Sequence, residues 1–185
     1  MLYIFPTNTC FWIACPISEA ENYKKIYEIK KRPLDKAIAI MVSDFDYFEK
    51  NTKLNIEQIK FLKKYENPWT ILINKNKILD IKLLKIINQL PNSEIYEKIA
   101  FRVAHNFMQK KLIRLNGPLF LTSANISNNS EIFSTTNIKK EFWDILEKEE
   151  IKVLAYWDFC INSKQKYSDI FEFKEDTEEV KYFRK

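Results

Sequence analysis

A single glycine, Gly117, occurs in the whole 185-residue chain. Backbone loops that cradle phosphate, of the GxGxxG or GxxxxGK type, need several glycines for tight turns and close ligand approach. Both motifs are therefore excluded, and a nucleotide site in this chain must be built from side chains and ordinary backbone amides. The single histidine, His105, likewise excludes an HExxH zinc site, and a Ser-His-Asp triad would have to use it.

The composition indicates one globular domain. Hydrophobic residues make up 46% of the chain and charged residues 30%, a balance typical of folded soluble proteins. The odd set of Cys10, Cys15 and Cys160 has no CxxC spacing and predicts reduced thiols. No apolar run approaches the length of a membrane helix and no export signal opens the chain, so we expect a cytoplasmic protein without membrane contact. The net charge of +5 mildly favours polyanions such as ATP or RNA.

Apolar runs alternate with amphipathic stretches, which predicts an α/β domain around a mixed, mostly buried sheet. After the first strand a polar turn is expected, and Ser18 with Glu21 has the spacing of a helix capping box. Pro33 is expected to end the first helix. The predicted strands are 2–5, 37–42, 69–73, 99–103, 119–122, 151–155, 169–173 and 179–183. The predicted helices are 19–31, 44–50, 56–65, 81–90, 106–115 and 138–148.

Two pairs of polar residues stand at the ends of predicted elements. Lys30 and Arg32 lie at a helix C-terminus, where the helix dipole favours cations and where a lysine and an arginine together suit a polyphosphate. Ser123 and Asn125 follow a strand end, the usual place of ligand sites in open α/β sheets. Each pair also has an ordinary structural interpretation, as a basic helix end and as a turn or cap.

Four segments in order resemble motifs of the YrdC-like family of threonylcarbamoyl-AMP synthases. They are 6–11 (PTNTCF), 30–36 (KKRPLDK), 67–70 (NPWT), and 101–103 (FRV) with 121–127 (LTSANIS). The family patterns that they match are P-T-E-T-x-Y, K-x-R-P, P-G-P-x-T, and R-V with T-S-A-N-x-S. A fifth segment, 167–170 (YSDI), resembles the family's late P-S-T-I element more weakly.

The resemblance implies a YrdC-like twisted mixed sheet with flanking helices, one domain over 1–185, without the helix that usually precedes the first motif strand. It implies an ATP-binding cluster of Lys30, Arg32, Ser123, Asn125 and Ser168, with Lys30 and Arg32 as the catalytic pair. Residues expected to hold threonine are Thr9, Thr70 and Arg102. Arg102 should point to the opposite sheet face from its neighbours Phe101 and Val103.

The implied reaction converts L-threonine, bicarbonate and ATP into threonylcarbamoyl-AMP and diphosphate, for modification of the adenosine next to the anticodon of tRNA. Mg²⁺ would bridge phosphate oxygens, held by ATP more than by protein carboxylates, and no protein metal ligand is expected. The implied partners are the tRNA threonylcarbamoyl transferase machinery and, by direct contact, tRNA or double-stranded RNA.

The chain departs from the family pattern mainly at glycines. Trp12 replaces one of them, and its indole would either narrow the pocket or stack on adenine. Asn67 and Asn128 replace two others and are expected where φ is positive. Two alternatives stay open: a catalytically degraded relative that binds structured RNA on a basic face, and a carbamoyl-adenylate ligase for another amine. His105 is expected to be a surface or helix-cap residue.

Overall fold

The computed structural model describes residues 1–91, 93–148, 151–155, 160–161 and 167–185. The described strands form one nine-stranded sheet in the order β7-β1-β2-β6-β3-β5-β4-β8-β9. The strands are β1 Leu2–Pro6, β2 Phe11–Pro16, β3 Ala39–Val42, β4 Trp69–Asn74, β5 Lys98–Val103, β6 Leu119–Ser123, β7 Ile151–Val153, β8 Asp169–Phe173 and β9 Val180–Arg184. The helices are α1 Ala20–Lys30, α2 Phe45–Asn51, α3 Ile56–Lys64, α4 Ile81–Asn88, α5 Phe107–Asn116 and α6 Thr135–Lys148.

The sheet is mixed, as the sequence predicts. Strands β1 and β7, β3 and β5, and β4 and β8 pair in parallel, while the other neighbours pair antiparallel. The α/β class is therefore confirmed. Within the described part of the chain, no helix is long and apolar enough to cross a membrane.

The two faces of the sheet are covered unequally. One face carries the larger apolar cluster, to which α1, α2, α3, α4 and α6 all contribute side chains. The other face carries a smaller cluster in which the helical members, Leu112 and Ile113, come from α5. Because α5 covers only part of that face, the strands beside it remain open to a cleft.

Three local expectations were wrong. The segment after β1 contains a full strand, β2, whose six residues are all buried, and not only a polar turn. The Ser18–Glu21 capping box does not form, because Glu19 is the N-cap of α1 and makes no side-chain cap hydrogen bond. Asn67 does not have a positive φ, although Asn128 does, at 72°.

The end of α1 shows how the chain turns without glycine. Lys31 caps the helix in the left-handed conformation, with φ 47° and ψ 43°. The amide of Lys31 donates to Glu28 O and the amide of Arg32 to Tyr27 O, which satisfies carbonyls of the last turn. The helix thus ends at this αL residue, before Pro33 is reached.

Candidate functional site

A cleft of about 280 Å³ lies on the sheet face that α5 leaves open. Small side chains on central strands, Ala39 of β3 and Ala100 of β5, line it and leave the space unfilled. Its polar walls come from several parts of the chain. They are Arg32, Thr70, Thr122, Ser123, Glu131, Ser168 and Arg184, with Trp12 beside them.

Lys30 is buried at the end of α1, with 1% of its surface exposed. Its ammonium donates to the carbonyl oxygens of Ser123 and Asn125, and it lies 3.4 Å from Asn125 Oδ1. Burial, with the nearby Arg32 charge as a second cause, lowers the pKa of Lys30 to about 8. Lys30 therefore connects helix α1 to the turn after β6, and its ammonium group is buried against the carbonyl oxygens of that turn.

Arg32 lines the cleft and also closes its own loop. Its Nε donates to Lys36 O at 2.9 Å and its Nη2 to Ala37 O at 2.7 Å. Tyr27 donates from its hydroxyl to the same Lys36 carbonyl at 3.0 Å. The guanidinium is thereby held in a fixed place, and its other donors are engaged by no hydrogen bond within the described residues.

Asn125 organises the turn that follows β6. It is 7% exposed, and its Nδ2 donates to Ile126 O at 3.1 Å and Asn129 O at 2.7 Å. The amide of Ser127 donates to Lys30 O at 2.8 Å. The predicted group of Lys30, Ser123 and Asn125 is thus brought together, with Ser123 at the cleft surface and the other two behind it.

Thr9 and Arg102 lie behind Trp12 and do not line the open cleft. The guanidinium carbon of Arg102 is 4.3 Å from the centre of the Trp12 ring, and Trp12 Nε1 donates to Thr9 Oγ1 at 3.2 Å. A turn fixes Thr9, whose amide donates to Thr7 Oγ1 at 3.1 Å. The predicted orientation of Arg102 is confirmed, since Phe101 and Val103 belong to the core of the other face.

Arg102 is the second buried cation of the site. It is 3% exposed, and its Nη1 is buried without a hydrogen-bond partner. Burial lowers the pKa of Arg102 to about 10, although Cys10 and Glu131 act in the opposite direction. A buried, unpartnered donor on a charged group is unfavourable unless an anion or water meets it.

The far wall of the cleft contains Ser168, Thr70 and an arginine that we did not predict. Arg184 donates from Nη2 to Ser168 Oγ at 2.8 Å and from Nε to Ser168 O at 2.9 Å. The predicted last strand stopped at Phe183, one residue short. Arg184 reaches Ser168 because it pairs with Ile170 across the sheet, a long-range contact that no local sequence pattern marks.

Glu131 is a second lining residue that the sequence did not indicate. Its carboxylate is half-buried, and desolvation raises its pKa, while Arg184, Arg102 and Lys30 act to lower it. Charged residues from α1, β5 and β9 therefore lie near this one carboxylate. No local sequence pattern marks Glu131, because its place depends on long-range folding of the loop after β6.

The described part of the cleft offers few carboxylate oxygens for a metal ion. Within the described residues, no group of three or more histidine, cysteine, aspartate or glutamate side chains could hold a metal ion. Of the described residues that line the cleft, Glu131 alone carries a carboxylate. His105 is exposed just before α5, as expected, with its backbone amide donating to Gln109 Oε1 at 2.8 Å.

Comparisons with known proteins agree on the family. The Sua5/YciO/YrdC family, described as "Telomere recombination", matches residues 1–171. A threonylcarbamoyl-AMP synthase of Buchnera aphidicola is 27% identical over 143 residues, 75% of this chain and 77% of the relative. A Pyrococcus abyssi protein of the same name is 25% identical over 149 residues, 79% of this chain and 41% of the relative.

The fold comparison gives the same result. The crystal structure of P. abyssi Sua5 complexed with L-threonine superposes with a TM-score of 0.70 at 22% identity, covering 93% of this chain and 47% of that one. This chain therefore spans about half the length of the P. abyssi protein. With a family match over residues 1–171 and the shared fold, the chain belongs to the Sua5/YciO/YrdC family.

Proposed function

We propose that this protein is an L-threonylcarbamoyladenylate synthase, which forms threonylcarbamoyl-AMP and diphosphate from L-threonine, bicarbonate and ATP. The observation that carries the proposal is the convergence of cations that form no salt bridge among the described residues. Lys30 and Arg102 are buried, and neither forms a salt bridge with a described carboxylate. Buried charge of this kind is stabilised by an anionic ligand.

The arrangement suits two anions of different size. Arg32 and Arg184 flank the open cleft with the hydroxyls of Ser123 and Ser168, which suits phosphate groups of ATP. Arg102 and Thr9, which contact Trp12 at the edge of the cleft, suit an amino-acid carboxylate and hydroxyl. The naming of the Buchnera relative and the threonine complex of the P. abyssi protein support this assignment.

In the proposed reaction, threonine and bicarbonate condense to an N-carboxy amino acid with loss of water, and its carboxylate oxygen attacks the α-phosphorus of ATP. The bond from that phosphorus to the bridging oxygen breaks, and diphosphate leaves. The protein's contribution is to position both reactants and stabilise phosphate charge, which needs no general base. Lys30 holds the Ser123–Asn125 turn, and Arg32 and Arg184 neutralise the phosphates.

Mg²⁺ is proposed to enter with ATP. Among the described lining residues, the carboxylate of Glu131 and the hydroxyls of Ser123 and Ser168 supply oxygen atoms that could contact the ion directly. The ion would neutralise charge on the phosphates. The product is proposed to pass in the cytoplasm to the tRNA threonylcarbamoyl transferase machinery.

The test is product formation. Purified protein is incubated with ATP, Mg²⁺, bicarbonate and radiolabelled L-threonine, and labelled adenylate and diphosphate are separated and counted. We expect both products, each dependent on threonine and bicarbonate. Tight binding of duplex RNA without any threonine-dependent turnover would instead establish the RNA-binding alternative.

A further inference from the structure

Trp12 is held on two sides in the structure. Its ring stacks on Arg102 at 4.3 Å, and its indole N–H donates to Thr9 Oγ1 at 3.2 Å. Its other surroundings are packed, because Cys10, Met41 and Leu121 of the same apolar cluster are each at most 2% exposed. A side chain fixed in this way cannot move aside without breaking both contacts.

The exposed part of Trp12 is too small for a base-stacking platform. Only 8% of its surface is accessible, and Arg102 covers the ring. Stacking of a base requires an open aromatic face. Of the two roles expected for this residue, the geometry supports the narrowing of the pocket.

The position of Trp12 places it next to any ligand of Arg102. Trp12 lines the open cleft, while Arg102 lies behind it with an unpartnered Nη1. Because Arg102 stacks on the indole that lines the cleft, a carboxylate that reaches this donor from the cleft lies close to the indole. The α-carbon of an amino acid is bonded directly to its carboxylate, so its side chain must lie close to Trp12 or Thr9.

We infer that Trp12 sets the upper size limit of the amino-acid substrate. This inference rests on the proposed function and adds the substrate class: small α-amino acids up to the size of threonine, with leucine and methionine excluded. The wall is rigid, so extra methylene groups meet the ring and its fixed neighbours. Discrimination by one methylene group in such pockets is about 10- to 200-fold.

The experiment compares amino acids and variants. Diphosphate release is measured with serine, threonine, valine, leucine and methionine for the wild type, Trp12→Leu and Trp12→Phe. In Trp12→Leu we expect the ratio of kcat/KM for leucine over threonine to rise at least about tenfold. Trp12→Phe, which retains an aromatic wall, should keep a ratio near that of the wild type.

Folding and the proposed function are controlled separately. Thermal unfolding identifies variants that do not fold, and binding of the same amino acids without ATP is measured by calorimetry. The size limit is supported if the wild type binds threonine more tightly than leucine and Trp12→Leu loses this preference. That result holds even if no adenylate forms and the proposed function fails. An unchanged preference in folded Trp12→Leu, equal use of leucine by the wild type, or no amino-acid binding at all overturns the inference.

Discussion

Two buried cations, Lys30 and Arg102, distinguish this site at the scale of single residues. Moving a cation out of water is unfavourable, and the lowered pKa values of both groups report that penalty. The two residues differ in how this desolvation penalty is offset. Lys30 is compensated by backbone carbonyl oxygens, whereas one nitrogen of Arg102 has no partner and is left for a ligand.

Replacement of Lys30 by alanine is expected to lower stability as well as activity. The substitution leaves two carbonyl oxygens without their donor and opens a space in a buried region. We expect the free energy of unfolding to fall by about 3 kcal/mol, measured by urea denaturation. Lys24→Ala, at an exposed position of the same helix, is the matched control and should change it by less than about 0.5 kcal/mol. Unaltered stability of Lys30→Ala would show that the carbonyl contacts contribute little.

Glu131 is expected to oppose phosphate binding in a pH-dependent way. Its raised pKa means that the carboxylate ionises above the ordinary range, and as pH rises through that value it begins to repel phosphate. Glu131→Gln should therefore bind AMP about fivefold more tightly at pH 7.5, or ~1 kcal/mol, with a smaller advantage at pH 5.

Calorimetry without magnesium measures the AMP affinity of the wild type and of Glu131→Gln at both pH values. Protonation of the AMP phosphate affects both proteins equally and cancels in the comparison. Glu57→Gln, an exposed change on α3, is the control for net charge. Weaker AMP binding by Glu131→Gln at both pH values would show that the carboxylate assists the ligand.

At the scale of elements, a nearly glycine-free chain has to place other residues where φ is positive. Lys31, Asn128 and Glu175 occupy such positions alongside Gly117. Asn128 was predictable, since asparagine tolerates the left-handed region better than most residues. The positive φ of Lys31 was not predictable, because lysine has no preference for the left-handed region. The path of the following loop, which contains Arg32, requires that conformation.

Lys31→Gly is expected to stabilise the protein by about 1 kcal/mol. Glycine relieves the backbone strain of the left-handed conformation at this exposed cap. Thermal or urea unfolding measures the change. Glu28→Gly, at an exposed position inside the same helix, should have the opposite effect, a loss of about 1 kcal/mol. Destabilisation by Lys31→Gly would indicate that the lysine side chain itself anchors the loop.

The elements with a clear apolar period were predictable, and those defined by tertiary contacts were not. Helix α5 begins at the capping box of Asn106 and Gln109, close to its predicted start. Strand β2 was missed because its residues follow a threonine-rich turn and are buried on both faces, so no alternation marks them. In the site, motif likeness indicated Arg32 and Arg102, while Glu131 and Arg184 required the folded arrangement.

At the scale of the whole molecule, the unequal covering of the sheet leaves room for the cleft. Five helices contribute to the core of one face, and α5 protects part of the other. The cleft beside α5 collects side chains that are far apart in sequence, from Trp12 to Arg184. Its phosphate-binding capacity, in our proposal, comes from these side chains in place of a glycine-rich loop.

The most direct test of this account is threonine- and bicarbonate-dependent release of diphosphate from ATP by the wild type and by Arg32→Ala. Arg114→Ala, an exposed arginine on α5, is the matched control. We predict turnover by the wild type and the control, and a loss of about a hundredfold in folded Arg32→Ala. Absence of turnover in the wild type, or full activity in Arg32→Ala, would contradict the account.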